Sequence, residues 1–204
     1  MDVDCFLCVS GVGIADLPWH DRPLWLDPRA GLAVPGLGGL APGYVLAAPL
    51  SHHPSLRSAI LAHGSPLLGF LSEVMSYLEE RMGPLTFWEH GSAPERPGPR
   101  SACIEHAHLN IVAGAWRLPE PPMARRFATL SDALTANEPD SADDGYLLLG
   151  WSGHGTIVGR DTGVSQYYRR EWARLIGRRD HWDYVIAEDS SVTIRTIELV
   201  LRQA

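Results

Sequence analysis

The feature that most constrains the fold of this chain is the alternation of polar and apolar residues in His106-Ala-His-Leu-Asn110. Alternate residues of a β-strand share a face, so a strand over 102–113 would present His106, His108 and Asn110 together. Buried polar groups without partners cost on the order of 1–3 kcal/mol each. The three side chains are therefore either satisfied by hydrogen bonds in a core or perform a function, and both interpretations stay open.

A second feature is the pair Cys5-x-x-Cys8 close to the first residue. The opening segment lacks the basic region and long apolar run of a signal peptide, which predicts a cytoplasmic protein. In that reducing compartment, the spacing favours metal binding or redox chemistry over a disulfide framework. No redox partner motif surrounds the pair, so the alternatives are metal ligands or two reduced cysteines acting as small buried hydrophobes.

Length and charge restrict the class of protein further. A chain of 204 residues with 45% hydrophobic residues is expected to form one domain over 1–204. The net charge of −7 disfavours nucleic acid as a partner and favours a small molecule. The uncharged stretch 30–56 contains several prolines and glycines, which argues against a membrane helix. A homodimer is left open.

Hydrophobic periodicity and turn residues predict an α+β fold, with strands in the middle flanked by helices. The strands are expected at 23–26, 31–34, 43–49, 85–88, 102–113, 146–151 and 156–159. The helices are expected from residue 54 to residue 82 with a break near Gly64 to Pro66, and at 123–136, 165–176 and 191–201. The strands 85–88 and 102–113 could pair as a long-looped hairpin.

The segment His106-Ala-His-Leu-Asn110 resembles the motif of the histidine-triad superfamily. Residues 42–52 are similar to the strand and His-bearing turn that those proteins carry upstream. Residues 87–91 resemble the segment before the motif in branches related to galactose-1-phosphate uridylyltransferase, and 165–170 with 182–183 resemble a C-terminal extension of some bacterial members. The resemblance implies a HIT-like antiparallel sheet with flanking helices and a C-terminal helical extension.

The same resemblance implies a nucleotidyl hydrolase or transferase. The middle histidine of the motif, here His108, would attack the α-phosphorus of a nucleotide or nucleotidylated small molecule and form a nucleotidyl-histidine intermediate. A neutral imidazole is a competent nucleophile near pH 7, and covalent catalysis divides one difficult displacement into two easier ones. In zinc-containing members, a structural zinc has ligands that match Cys5, Cys8, His52 and His106, with His53 as a substitute for His52.

Further residues are candidates for the chemistry around the phosphate. Asn110 replaces the third histidine of the triad, and an amide can donate a hydrogen bond to a phosphoryl oxygen without titrating. Ser165 could cap its helix, so that free amides, Gln166 and Arg169 would bind phosphate; structural capping alone is the alternative. His90, at the end of a strand expected beside the motif, could orient His108 or a phosphate, or be merely structural.

Two other functions compete with catalysis. Because the acidic residue that grips ribose in many family members is missing near Gly36 and Leu37, a nucleotide-binding module without turnover is the main alternative. DNA-end processing is disfavoured because the sequence shows no basic groove and no added zinc finger.

Overall fold

The computed structural model describes residues 5–12, 17–19, 22–92, 106–136, 145–184 and 189–201. Its strands are β1 (Trp25–Asp27), β2 (Gly31–Pro35), β3 (Tyr44–Pro49), β4 (Leu85–Gly91), β5 (Leu109–Ala113), β6 (Arg125–Phe127), β7 (Tyr146–Trp151) and β8 (Gly155–Arg160). Its helices are α1 (Phe6–Gly11), α2 (Leu56–His63), α3 (Ser65–Met82), α4 (Leu130–Thr135), α5 (Tyr167–Leu175) and α6 (Ser190–Leu201).

The eight strands form one sheet in the order β1-β2-β3-β5-β4-β7-β8-β6, and every neighbouring pair is antiparallel. The expected pairing of β4 with β5 is confirmed, with Trp88 opposite Asn110. The tight hairpin of β7 and β8 is confirmed as well. The α+β class with an antiparallel sheet and flanking helices is therefore correct.

Both faces of the sheet are covered, because alternate residues of its central strands point to opposite sides. In β3, Val45 and Ala47 face a core built with α2, α3, α4 and α6, whereas Tyr44 and Leu46 face a second core built with α1 and α5. Full burial of a large apolar side chain contributes roughly 1.5–3 kcal/mol, so the helices on both faces stabilise the sheet. Strand β5, which lies between β3 and β4, is thus covered on both faces.

The long helical pattern after residue 54 divides where the sequence predicts. Gly64 ends α2 and precedes α3 with a φ of 66°, a left-handed conformation that favours glycine. Ser55 begins α2 through a reciprocal cap with Ser58. Helix α3 then buries one apolar stripe that includes Leu67, Leu71 and Leu78.

Two expectations about secondary structure are wrong in part. The segment 123–136 forms β6 and α4 instead of one helix, because Arg125–Phe127 pairs with the edge of β8 and Thr129 caps the short helix that follows. Strand β5 begins at Leu109, and residues 101–105 lie outside the described part of the chain. His106 and His108 therefore precede the strand, where Ala107 donates a backbone hydrogen bond to His53.

Candidate metal centre and histidine site

Four side chains from three separate segments converge at one point. They are Cys5 and Cys8, before and within α1, His52 after β3, and His106 before β5, and their ligand atoms all lie within 4.8 Å of one another. Nδ1 of His106 is 3.4 Å from the sulfur of each cysteine, and Nδ1 of His52 is 3.6 Å from the sulfur of Cys8. The structure thus brings together all four of the residues predicted as ligands.

These distances fit a tetrahedral ion. Zinc–sulfur and zinc–nitrogen bonds of about 2.3 Å and 2.05 Å at a tetrahedral angle place the sulfur and nitrogen atoms roughly 3.5 Å apart. The three sulfur–nitrogen distances, 3.4 Å twice and 3.6 Å, lie around that value. Two thiolates and two imidazoles are also a donor set that structural zinc sites use.

The protonation of His106 suits a ligand. Its Nε2 lies 2.8 Å from the carbonyl oxygen of Pro49, which can only accept, so Nε2 carries the hydrogen and the Nδ1 lone pair faces the thiols. Burial lowers the pKa of His106 to about 4, and it raises the pKa of the Cys5 thiol to about 11. The imidazole is thus neutral near pH 7, and a Cys5 thiolate needs a cation beside it.

His108 is held in a defined tautomer as well. Its Nδ1 lies 2.7 Å from the carbonyl oxygen of His106 and must donate to it, which leaves the lone pair on Nε2. Burial lowers the pKa of His108, and the positive charge that His90 can carry lowers it further. The bond to the His106 carbonyl opposes this shift without cancelling it. No residue within the described ranges accepts from or donates to Nε2, and the side chain is partly exposed.

His90 near the end of β4 forms a hydrogen-bonded pair with a carboxylate that follows β8. Its Nε2 is 2.8 Å from Oδ1 of Asp161, and both side chains are about nine-tenths buried. Burial alone would raise the pKa of Asp161, but hydrogen bonds from His90 and from backbone amides outweigh burial and lower it. Asp161 directly follows β8, and no motif marks it, because only the pairing of β4, β7 and β8 brings it beside His90.

Asn110 lies on the sheet face that carries Tyr44 and Trp88. Its Oδ1 accepts a hydrogen bond of 2.6 Å from the Tyr44 hydroxyl, and its Nδ2 donates to the carbonyl oxygen of Trp88 at 3.3 Å. Among the described residues, nothing else accepts from Nδ2, which has two hydrogens. The amide is therefore fixed in orientation and keeps one hydrogen for a further acceptor.

The three residues predicted to bind phosphate lie at and within α5. The expectation that Ser165 caps this helix is wrong, because Gln166 occupies the cap position with a left-handed φ of 54°, and the Ser165 carbonyl accepts from Arg170. Arg169 is buried and donates to the carbonyl oxygens of Gly38 and Trp182. Its guanidinium carbon lies 5.4 Å from the ring centre of Tyr44, which links Arg169 to the side chain of Asn110.

Comparison with known proteins gives no assignment for this site: no protein-family model matches the chain, and no curated protein matches it at a significant level. Within the described ranges, no helix combines the length and apolar character needed to cross a bilayer. The relation to the histidine-triad superfamily therefore stays a prediction from the motifs.

Proposed function

We propose that this chain is a HIT-like nucleotidyl hydrolase or transferase in which Nε2 of His108 attacks the α-phosphorus of a nucleotide-containing substrate. The observation that carries the proposal is the hydrogen bond from Nδ1 of His108 to the His106 carbonyl. This bond fixes the nucleophilic tautomer, and the lowered pKa of His108 keeps the imidazole neutral near pH 7.

In the first step, the Nε2 lone pair forms a bond to phosphorus, and the bond from phosphorus to the leaving oxygen, or to the leaving nitrogen of a phosphoramidate, breaks. That leaving atom keeps the electron pair and takes a proton from solvent. The nucleotidyl-imidazole is positively charged, and the Nδ1 hydrogen bond to the His106 carbonyl stabilises it. Water or another acceptor then attacks phosphorus and releases its proton to solvent, while the phosphorus–nitrogen bond breaks and restores neutral His108.

The charge that develops on the phosphoryl oxygens needs nearby donors. The remaining Nδ2 hydrogen of Asn110 is one candidate. Arg169 is a second, because its Nη1 is buried and has no hydrogen-bond partner among the described residues. His90, oriented by Asp161, is a third, and the amides at the start of α5 with Ser165 and Gln166 complete the proposed phosphate contacts.

We further propose that the metal held by Cys5, Cys8, His52 and His106 is zinc with a structural role. His106 is a ligand through Nδ1, and its carbonyl accepts the bond from His108. When bound, zinc would supply rigidity to that carbonyl and so orient the nucleophile.

Trapping of the covalent intermediate tests the function. The zinc-loaded protein is incubated with α-phosphorus-labelled dinucleoside polyphosphates, nucleoside phosphoramidates and nucleotide sugars, and labelled peptides are mapped. Label is expected on His108, absent from His108→Gln and retained in the control His154→Gln, since His154 is an exposed turn residue. Tight nucleotide binding without label or turnover would instead favour the binding module, to which the lack of a ribose-binding acid points.

A further inference from the structure

A second group of metal-ligating side chains lies outside the cluster described above. It consists of Ser51 and His53 in the segment after β3 and His63 in the last turn of α2. Nε2 of His63 is 2.9 Å from Nε2 of His53 and 2.6 Å from Oγ of Ser51. The imidazole of His63 is exposed, and the other two side chains are partly exposed.

Hydrogen bonding alone leaves this group poorly satisfied. Nε2 of His63 has either one hydrogen or one lone pair, both directed along a single line in the ring plane. It therefore cannot form well-directed bonds with both His53 and Ser51, although both lie within hydrogen-bond distance. A cation at the point where the three atoms converge would accept a lone pair from each of them.

The spacing of the two nitrogens indicates the type of cation. Two nitrogens bound at right angles to one ion, at about 2.05 Å each, lie roughly 2.9 Å apart, whereas tetrahedral ligands at that bond length lie roughly 3.3 Å apart. The observed separation of 2.9 Å between the two nitrogens matches the right-angled arrangement, which is typical of Ni²⁺ and Cu²⁺ with nitrogen and oxygen donors. The 2.6 Å between Nε2 of His63 and Oγ of Ser51 is shorter than that arrangement requires, so the serine hydroxyl must move outward by a few tenths of an ångström to bind the same ion.

The position of His63 on its helix adds a favourable field. It is the last residue of α2, where unpaired carbonyl groups carry the negative end of the helix dipole. Cations at such ends are stabilised, and solvent can supply the remaining ligands because the site is open.

We propose that Ser51, His53 and His63 form a second, solvent-facing site for a first-row divalent cation that prefers right-angled nitrogen and oxygen ligands, such as Ni²⁺ or Cu²⁺. The site shares no donor atom with the Cys5, Cys8, His52 and His106 cluster. The proposal is independent of the nucleotidyl-transfer function.

Calorimetric titration of the zinc-loaded full chain with Ni²⁺ tests the site. We expect one Ni²⁺ per chain beyond the zinc, with a dissociation constant below about 1 mM. His63→Gln and His53→Gln should each weaken Ni²⁺ binding roughly tenfold or more, because each removes an imidazole ligand. The control His154→Gln removes an exposed histidine from the β7–β8 turn and should leave the affinity unchanged.

Two measurements distinguish Ni²⁺ binding at this site from binding at the cluster of Cys5, Cys8, His52 and His106. Zinc content is measured for each variant. If His53→Gln loses zinc because its neighbour His52 is displaced, the Ni²⁺ affinity of His63→Gln alone decides whether the second site exists. Paramagnetic Ni²⁺ should broaden the ring proton resonances of His53 and His63 and spare those of His154. Absence of binding beyond the zinc, equal affinity in parent and His63→Gln, or broadening at His154 without broadening at His53 and His63 would overturn the proposal.

Discussion

At the residue scale, His106 connects the metal cluster to the proposed nucleophile. Its Nδ1 faces the thiols, its Nε2 donates to Pro49, and its carbonyl accepts from His108. Because the ring and the carbonyl belong to one residue, a metal that holds the ring also fixes the acceptor that selects the tautomer of His108. The two histidines therefore have different roles although they are separated by one residue.

This difference predicts unequal consequences of substitution. His108→Gln should keep the metal content and shift the melting temperature by only a few degrees, since the side chain is partly exposed and not a ligand, while covalent labelling is lost. His106→Gln should lose metal and destabilise the fold by roughly 2–4 kcal/mol, because a buried ligand is removed. Metal analysis and thermal unfolding of both variants check this, and equal, mild effects would contradict it.

At the element scale, a buried carboxylate joins β4 to the start of α2. Glu89 is 1% exposed and accepts hydrogen bonds from the backbone amide of Leu56 and from the Tyr146 hydroxyl. Burial raises its pKa to about 7, although these bonds and the nearby Arg57 oppose the shift. The helix end is satisfied, but near neutral pH the carboxyl ionises although the protein shields it from solvent.

Glu89 should therefore make stability fall as the pH rises. The unfolded chain releases this proton near the ordinary value of 4.5 and the folded chain near 7, so between these values the folded state binds more protons. Stability is lost over that window, by about 3 kcal/mol. Denaturant unfolding at pH 4.5 and pH 7.5 should show that Glu89→Gln lacks this part of the loss. An unchanged difference between parent and variant across the two pH values would refute the assignment.

The elements themselves were predictable where local signals set them. Gly64, between α2 and α3, and Gly153 and Gly155, between β7 and β8, have positive φ angles that few other residues adopt. These glycines therefore show in the sequence where the neighbouring elements end. Strand β6 was missed because three residues with two arginines carry no strand signal, and only pairing with β8 makes them extended. The four residues of the Cys/His cluster were predictable from the motif resemblance. Asp161 and Tyr44, in contrast, become partners of His90 and Asn110 only through the sheet order.

At the scale of the whole molecule, the cluster of Cys5, Cys8, His52 and His106 connects α1 to the centre of the sheet. Helix α1 has six residues, no side-chain hydrogen bond at its N-cap and few residues in the core beyond Leu7 and Cys8. An isolated helix of this length is unstable in water. Its place against β2 therefore depends on a few buried side chains and on the four ligands that a metal would join.

Removal of the metal should consequently loosen α1 before the rest of the fold. Structural metal binding contributes several kcal/mol to folding, so a chelator should lower the melting temperature by about 10 °C. Hydrogen exchange should become faster at the amides of α1, including the Val9 amide that donates to Cys5, while the amides of α3 stay protected by their buried stripe. Cys8→Ser should reproduce this pattern without chelator, and added zinc should reverse it only in the parent. Exchange at α1 that is the same with and without metal would show that the cluster does not hold this helix, because a bound ion joining α1 to His52 and His106 must slow every opening that separates them.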